Sequence, residues 1–116
     1  MTAPAPNPVI DLPNGAIAVI FTSQRTADDN AGYAQAAAAM EARAATQPGY
    51  LGFVAARGTD GVGIATSYWV DDAAARAWRA QADHSVVREA GRARWYQWTH
   101  VVVARIERSY AWERPA

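Results

Sequence analysis

Two stretches of this chain are apolar on both faces of an extended backbone, and that limits the folds open to it. Residues 16–23 (AIAVIFTS) are rich in β-branched and aromatic side chains, too short for a buried helix and suited to a strand. Successive side chains of a strand point to opposite sides, so Ile17, Val19, Phe21 and Ser23 form one face and Ala18, Ile20 and Thr22 the other. The run Val101-Val102-Val103-Ala104, inside a strand expected over residues 98–109, has the same character. Strands of this kind are covered on both sides. A chain of 116 residues buries roughly 65% of the surface its unfolded form exposes, enough for one core. Cover for the second face must therefore come from another subunit.

Between these strands the pattern changes period. Asp28, Asp29 and Asn30 offer N-caps for a helix reaching about Thr46, with Tyr33, Ala36, Ala37, Met40 and Ala44 at helical spacing on one side. Gln47-Pro48-Gly49 ends it. Strands follow at 50–57 and 62–70, joined by Gly58-Thr59-Asp60-Gly61, where Asp-Gly favours the positive φ of a tight turn. Asp71 and Asp72 cap a second helix through Trp78 and Gln81 toward Gly91, with a break expected near Asp83 and His84. The order is β-α-β-β-α-β, the split βαβ pattern of the α+β, ferredoxin-like fold. Its helices cover one sheet face only, so the other face predicts a homodimer paired sheet to sheet.

The limits of the chain read as a Pro-rich N-terminal arm over 1–15, a single domain over 16–112 and a short tail over 113–116. Pro4, Pro6, Pro8 and Pro13 block regular pairing in the arm. The arm lacks the charged start and apolar run of a signal peptide, and no stretch approaches the roughly 20 apolar residues that cross a bilayer. A cytoplasmic protein with no membrane partner is the expectation. Eleven arginines balance eleven acidic residues, which removes the positive field that draws a protein to nucleic acid. With no cysteine and only two histidines, neither a thiolate nucleophile nor a metal centre is expected.

Aromatic residues carry the functional signal. Tyr68 and Trp69 end the third strand, Trp78 lies in the second helix, and Trp95, Tyr96 and Trp98 approach the last strand. Converging at one end of the helix–sheet layer, they would either fill the core or wall a dry cavity for a flat, partly polar ligand. His84 is suited to proton transfer or haem ligation. On one continuous helix it stands about 120° from Trp78, so the two share a cavity only where the helix breaks between them. Arg88 and Arg92, one turn apart, and Arg94 beside them suit a carboxylate or phenolate. His100 falls with Trp98 and Val102 on alternation and reads as structural.

In that order of elements, the strings IAVIFTSQRT, QPGYLG, GIATSYW, the Trp78-x5-His84 pair, GRARWY and ARIERSY together resemble the antibiotic biosynthesis monooxygenase family, from Ala16 to about Trp112. The resemblance implies a dimeric α+β barrel with a small cavity between sheet and helices in each subunit. It implies oxygenation of an aromatic polyketide to a quinone, without metal or flavin. Trp78 matches the family's second-helix tryptophan and His84 the histidine farther along, which would make them the catalytic pair. Phe21, Ser23, Phe53, Tyr68 and Trp95 would then contact a small aromatic molecule, with Arg88 beside its anion. A haem-degrading branch uses an Asn on the first strand and a His ten residues after the tryptophan. Here Phe21, Thr22 and Ser23 end that strand and position ten is Arg88, which leaves His84 as a shifted haem ligand. The alternatives to the enzyme are thus a non-catalytic module holding a small ligand and a haem-binding dimer.

Overall fold

The structure, a computed structural model, describes residues 12–81 and 88–115. Its elements are β1 (Ile17–Arg25), α1 (Asn30–Ala44), β2 (Tyr50–Arg57), β3 (Val62–Trp69), α2 (Asp72–Arg79), a π-helical turn (Gly91–Trp95) and β4 (Tyr96–Arg105). The four strands make one antiparallel sheet in the order β2-β3-β1-β4. This is the ferredoxin-like α+β arrangement that the alternation of periods implies.

Local chemistry sets the boundaries. Asp29 caps α1 from a left-handed conformation, φ 54°, its side chain accepting from the Gly32 amide at 3.2 Å. Asp71 caps α2 from an extended backbone, its side chain accepting from the Ala74 amide at 2.8 Å. The β2–β3 hairpin closes through Gly58 N donating to Val62 O at 2.9 Å, with Gly61 at φ +85°. The second helix and the last strand differ most from the sequence reading. α2 stops at Arg79, tightened by Gln81 N donating to Trp78 O. Residues 82–87, and His84 with them, lie outside the described residues, and residues 88–90 are helical again.

The last strand starts at Tyr96 rather than Trp98 and ends at Arg105 rather than Ser109. A bulge between Gln24 and Arg25 pairs Arg25 with Tyr96, which extends the ladder at that end. At the other end β1 begins at Ile17, opposite Arg105. Beyond it Gly15 N donates to Ile106 O and Ile106 N to Ala16 O, each at 2.8 Å.

Both helices pack on one face of the sheet. Ile17, Val19, Ala44, Trp69, Ala75 and Trp78 form the buried cluster, with Met40, Tyr50, Ala74 and Val101 against it. Trp69 is fully buried and stacks on Trp78, centroids 5.8 Å apart, while Tyr50 meets its edge. Its indole N–H donates to Ser67 Oγ at 2.9 Å, so the ring is buried without an orphaned donor. The opposite face carries Ile20, Val54, Ile64, Tyr68, Trp98 and Val102 by register. Among these Val54, Ile64, Trp98 and Val102 are exposed in the single chain. Among the described residues no helix is long and apolar enough to cross a membrane.

Gly49 leads into β2 at φ +82°, and a Cβ there would stand 2.6 Å from Ala74 Cβ and 2.9 Å from Val70 Cγ1. Gly49→Ala adds overlap to a left-handed backbone, so it should lower the unfolding free energy by about 1–3 kcal/mol in urea titrations.

Candidate functional site

Beside Trp78, on the helix face of the sheet, lies a cavity of about 640 Å³, a volume suited to a small organic ligand. Alternation builds most of its floor, although Ala56 and Ile64, of the opposite parity, also line it. Val19, Phe21 and Ser23 come from β1, Phe53, Ala55 and Arg57 from β2, Ala65 and Ser67 from β3, and Thr99 and Val101 from β4. α1 supplies Tyr33, Ala36, Ala37 and Met40 at helical spacing, and α2 supplies Trp78 and Arg79. Arg88, Arg92 and Trp95 from the segment before β4, with Tyr96 at the start of that strand, close it.

The aromatic side chains form a connected wall. Phe21 and Tyr96 meet edge to face at 5.5 Å, Tyr96 and Tyr33 at 5.7 Å, and Tyr33 and Trp95 at 5.9 Å. Tyr96 reaches this wall because of the β4 bulge. Residues 99 and 101 face the helices, so strict alternation would turn residue 96 the other way; one extra residue re-aims it. The π-helical turn is anchored to the end of β1. Arg25 Nη1 donates to Trp95 O at 2.6 Å, Thr26 N to the same oxygen at 2.8 Å, and Thr26 Oγ1 to Arg94 O at 2.6 Å. Trp95 Nε1 donates to Asp29 Oδ2 at 3.2 Å, so the carboxylate that caps α1 also holds this wall.

One end of the cavity is polar. Arg57 Nη2 donates to Tyr33 Oη at 2.9 Å and Ser23 Oγ at 3.1 Å, and its Nη1 to Ser23 O at 3.3 Å and Gly61 O at 2.5 Å. The Arg25 guanidinium lies 4.0 Å over the Tyr33 ring, a cation–π contact. Burial pushes the Tyr96 phenol well above the usual tyrosine range, and its hydrogen bond with Tyr33 pushes the same way; the charges of Arg57 and Arg25 oppose this and are outweighed. Tyr96 is therefore a neutral phenol through the physiological range. Arg94 turns away, donating to Asp28 Oδ2 at 3.0 Å and holding the Asp28 carboxyl below its ordinary value by that bond. No group of three metal-ligating side chains occurs among the described residues.

A sequence model described as antibiotic biosynthesis monooxygenase matches residues 16–90. The chain belongs to that family. It is 42% identical over 91 residues to the uncharacterized protein YqjZ of Bacillus subtilis, an alignment covering 78% of this chain and 79% of that one. In fold it is similar to SnoaB, a cofactor-independent oxygenase from Streptomyces nogalater, with a TM-score of 0.69 at 18% identity over 82% of this chain and 96% of that one. It is also similar to Rv0793 of Mycobacterium tuberculosis, with a TM-score of 0.73 at 13% identity over 83% and 99% of the two chains.

Within this monooxygenase-family fold the candidate residues separate. Trp78, Phe21, Ser23, Phe53, Trp95 and Arg88 all line the cavity. Tyr68 does not: it pairs with Ala18 on the face turned from the helices, because its neighbour Trp69 takes the core side. His84 is outside the described residues, although α2 does end between Trp78 and that position. The place ten residues after Trp78 is held by the cavity arginine Arg88, whose guanidinium is no haem ligand. Sequence reasoning passed over Arg57 and left Tyr33 as a helix-face residue. Both were signalled by period, Arg57 sharing the parity of Phe53 and Ala55, and Tyr33 standing one turn before Ala36 and Ala37.

The raised Tyr96 pKa gives a pH signature. The unfolded chain ionises this tyrosine near 10.0 and the folded chain only above that. The folded state thus binds more protons in between, so stability is full below about pH 10 and falls as pH rises. Tyr50, also pushed up by burial and then by Glu41, contributes with the same sign. Tyr96→Phe should flatten part of this alkaline loss, seen as a smaller drop in urea midpoint between about pH 9 and 11.

Proposed function

We propose that this protein binds a small aromatic or quinone-type compound in the cavity and oxidises it with O₂ as a cofactor-independent monooxygenase, acting as a homodimer. The observation that carries the reading is the cavity itself, whose ring-bearing walls end in an arginine–hydroxyl network. Support comes from the family membership and from the likeness in fold to an enzyme described as a cofactor-independent oxygenase.

The chemistry asks little of the protein beyond position and electrostatics. Deprotonation of an anthrone-type phenol gives an anion rich enough in electrons to reduce O₂ directly, so neither flavin, haem nor metal takes part. Oxygen adds at the ring methylene; one atom stays as the new carbonyl, and the other leaves as water with the two methylene hydrogens. Electrons lost by carbon are those gained by O₂. In this reading Trp78, held by its stack on Trp69, orients the ring, and His84 takes the phenol proton. Phe21, Phe53 and Trp95 exclude water, and Arg88 faces the developing charge.

Oxygen uptake with a hydroxyanthrone should proceed in chelator-treated protein, and Trp78→Ala should lower kcat/KM about tenfold or more. Binding without any oxygen uptake would reduce the protein to a non-catalytic small-ligand module.

The second copy is argued from the sheet face opposite the helices, where Val54, Ile64, Trp98 and Val102 would otherwise meet water. Sedimentation should give a dimer. Ile64→Glu combined with Trp98→Glu should give a folded single chain, and a wild type that sediments alone at micromolar concentration would remove the dimer.

A further inference from the structure

The alternation of the last strand outruns the ladder that holds it. β4 ends at Arg105, opposite Ile17 at the start of β1, and Ile106 makes the final backbone bonds, to Gly15 and Ala16. The sequence does not change character there. Counting by twos from Trp98 and Val102, which lie on the sheet face turned from the helices, gives Ile106, Arg108, Tyr110 and Trp112. The other parity gives Glu107, Ser109, Ala111 and Glu113. All the bulky apolar groups thus fall in one row and only small or polar ones in the other, the pattern of a half-buried strand.

Nothing described in the same subunit buries that row. Tyr110 is 87% exposed and Trp112 73%, more than any other large apolar side chain among the described residues. Residues 107–115 take part in no backbone hydrogen bond among the described residues. Their side-chain pairs there are internal, Arg108 with Glu107 at 3.9 Å and Arg114 over the Trp112 ring at 5.4 Å. At about 3.3 Å per residue, an extended tail carries Tyr110 roughly 16 Å past the end of the ladder. Glu107 and Glu113 balance Arg108 and Arg114, so the tail has no net charge with which to seek nucleic acid or an anionic surface. The Pro-rich arm, joined to the domain at Gly15 beside Ile106, brings no aromatic side chain, and its prolines lack the N–H that a ladder needs.

We propose that residues 106–115 are an arm that adds to the sheet of a second copy of this chain, with the Tyr110 and Trp112 rings buried in the layer between the two sheets. The inference rests on the sheet-to-sheet dimer proposed above and adds the segment that clasps it. Parity argues for that partner. An arm that continues the alternation of β4 turns both rings to the side on which Val54, Ile64, Trp98 and Val102 are exposed. The edge strands β2 and β4 are each paired on one side only, so a second sheet offers a free ladder to the N–H and C=O groups of the arm. Two-fold symmetry makes the exchange mutual.

Hydrogen–deuterium exchange of the full chain, read by mass spectrometry, tests this. Amides of residues 107–113 should exchange at least about tenfold more slowly in the wild-type dimer than in the single-chain variant Ile64→Glu, Trp98→Glu. If that variant does not fold, dilution of the wild type supplies the single chain. The double variant Tyr110→Ser, Trp112→Ser changes neither cavity nor core, and should keep the circular dichroism of the wild type while its dimer dissociation constant rises about tenfold or more. An arm that exchanges freely in a dimeric wild type, or a double-serine variant that dimerises as tightly as the wild type, overturns the proposal and leaves the sheet-to-sheet dimer standing. Protection that persists in the single chain assigns the arm to its own subunit and overturns the proposal too. A wild type that sediments alone overturns both.

Discussion

Strand β1 is the constraint on which both core and cavity depend. It lies between β3 and β4 and pairs with both along nearly its whole length, so its register fixes which side chains of three strands face the helices. One row of its side chains runs from Ile17 and Val19, buried with Trp69 and Trp78, to Phe21 and Ser23 on the cavity floor. A slip of one residue would send all of them to the other face. The same strand therefore secures the packing at one end and presents the ligand-facing groups at the other, and the tryptophan stack marks the boundary between the two.

Much of this was legible because period alone decides it. The two faces of residues 16–23, the Tyr33-to-Ala44 stripe of α1, the Asp caps and the Asp-Gly hairpin are local patterns, and local patterns survive into the fold. What failed to carry over were inferences from proximity along the chain. Tyr68 and Trp69 are neighbours in sequence, and for that reason they point to opposite faces of β3. Tyr96 and Trp98 share parity and would share a face on an ideal strand. The bulge opposite Gln24 and Arg25 separates them, sending Tyr96 to the cavity and Trp98 to the far face. No residue type at that bulge announces it, since it arises from the pairing of strands more than seventy positions apart.

The polar end of the site was illegible for a related reason. Arg57 reads as the charged end of a hairpin strand, and Ser23 and Tyr33 as unremarkable members of their elements. Their significance appears only when β2, β1 and α1 bring one guanidinium within reach of both hydroxyls. Charge counting could not reveal this either. The chain as a whole is balanced, yet the described cavity lining gathers four arginines and no acid, while Asp28 and Asp29 are engaged by Arg94 and Trp95 outside it.

That separation of charge gains force from the walls around it. Phe21, Phe53, Trp95 and the α1 alanines give the cavity an apolar surround, and a charge beside apolar surface acts on an anion more strongly than a charge in solvent. One of the four arginines is committed to the wall itself. Arg57 spends its terminal N–H groups on Ser23, Tyr33 and Gly61, so its charge ties β2 to β1 and α1, while Arg79, Arg88 and Arg92 line the cavity from α2 and the segment before β4. With no acid in the described lining to offset these arginines, the cavity favours an anionic occupant over a cationic one.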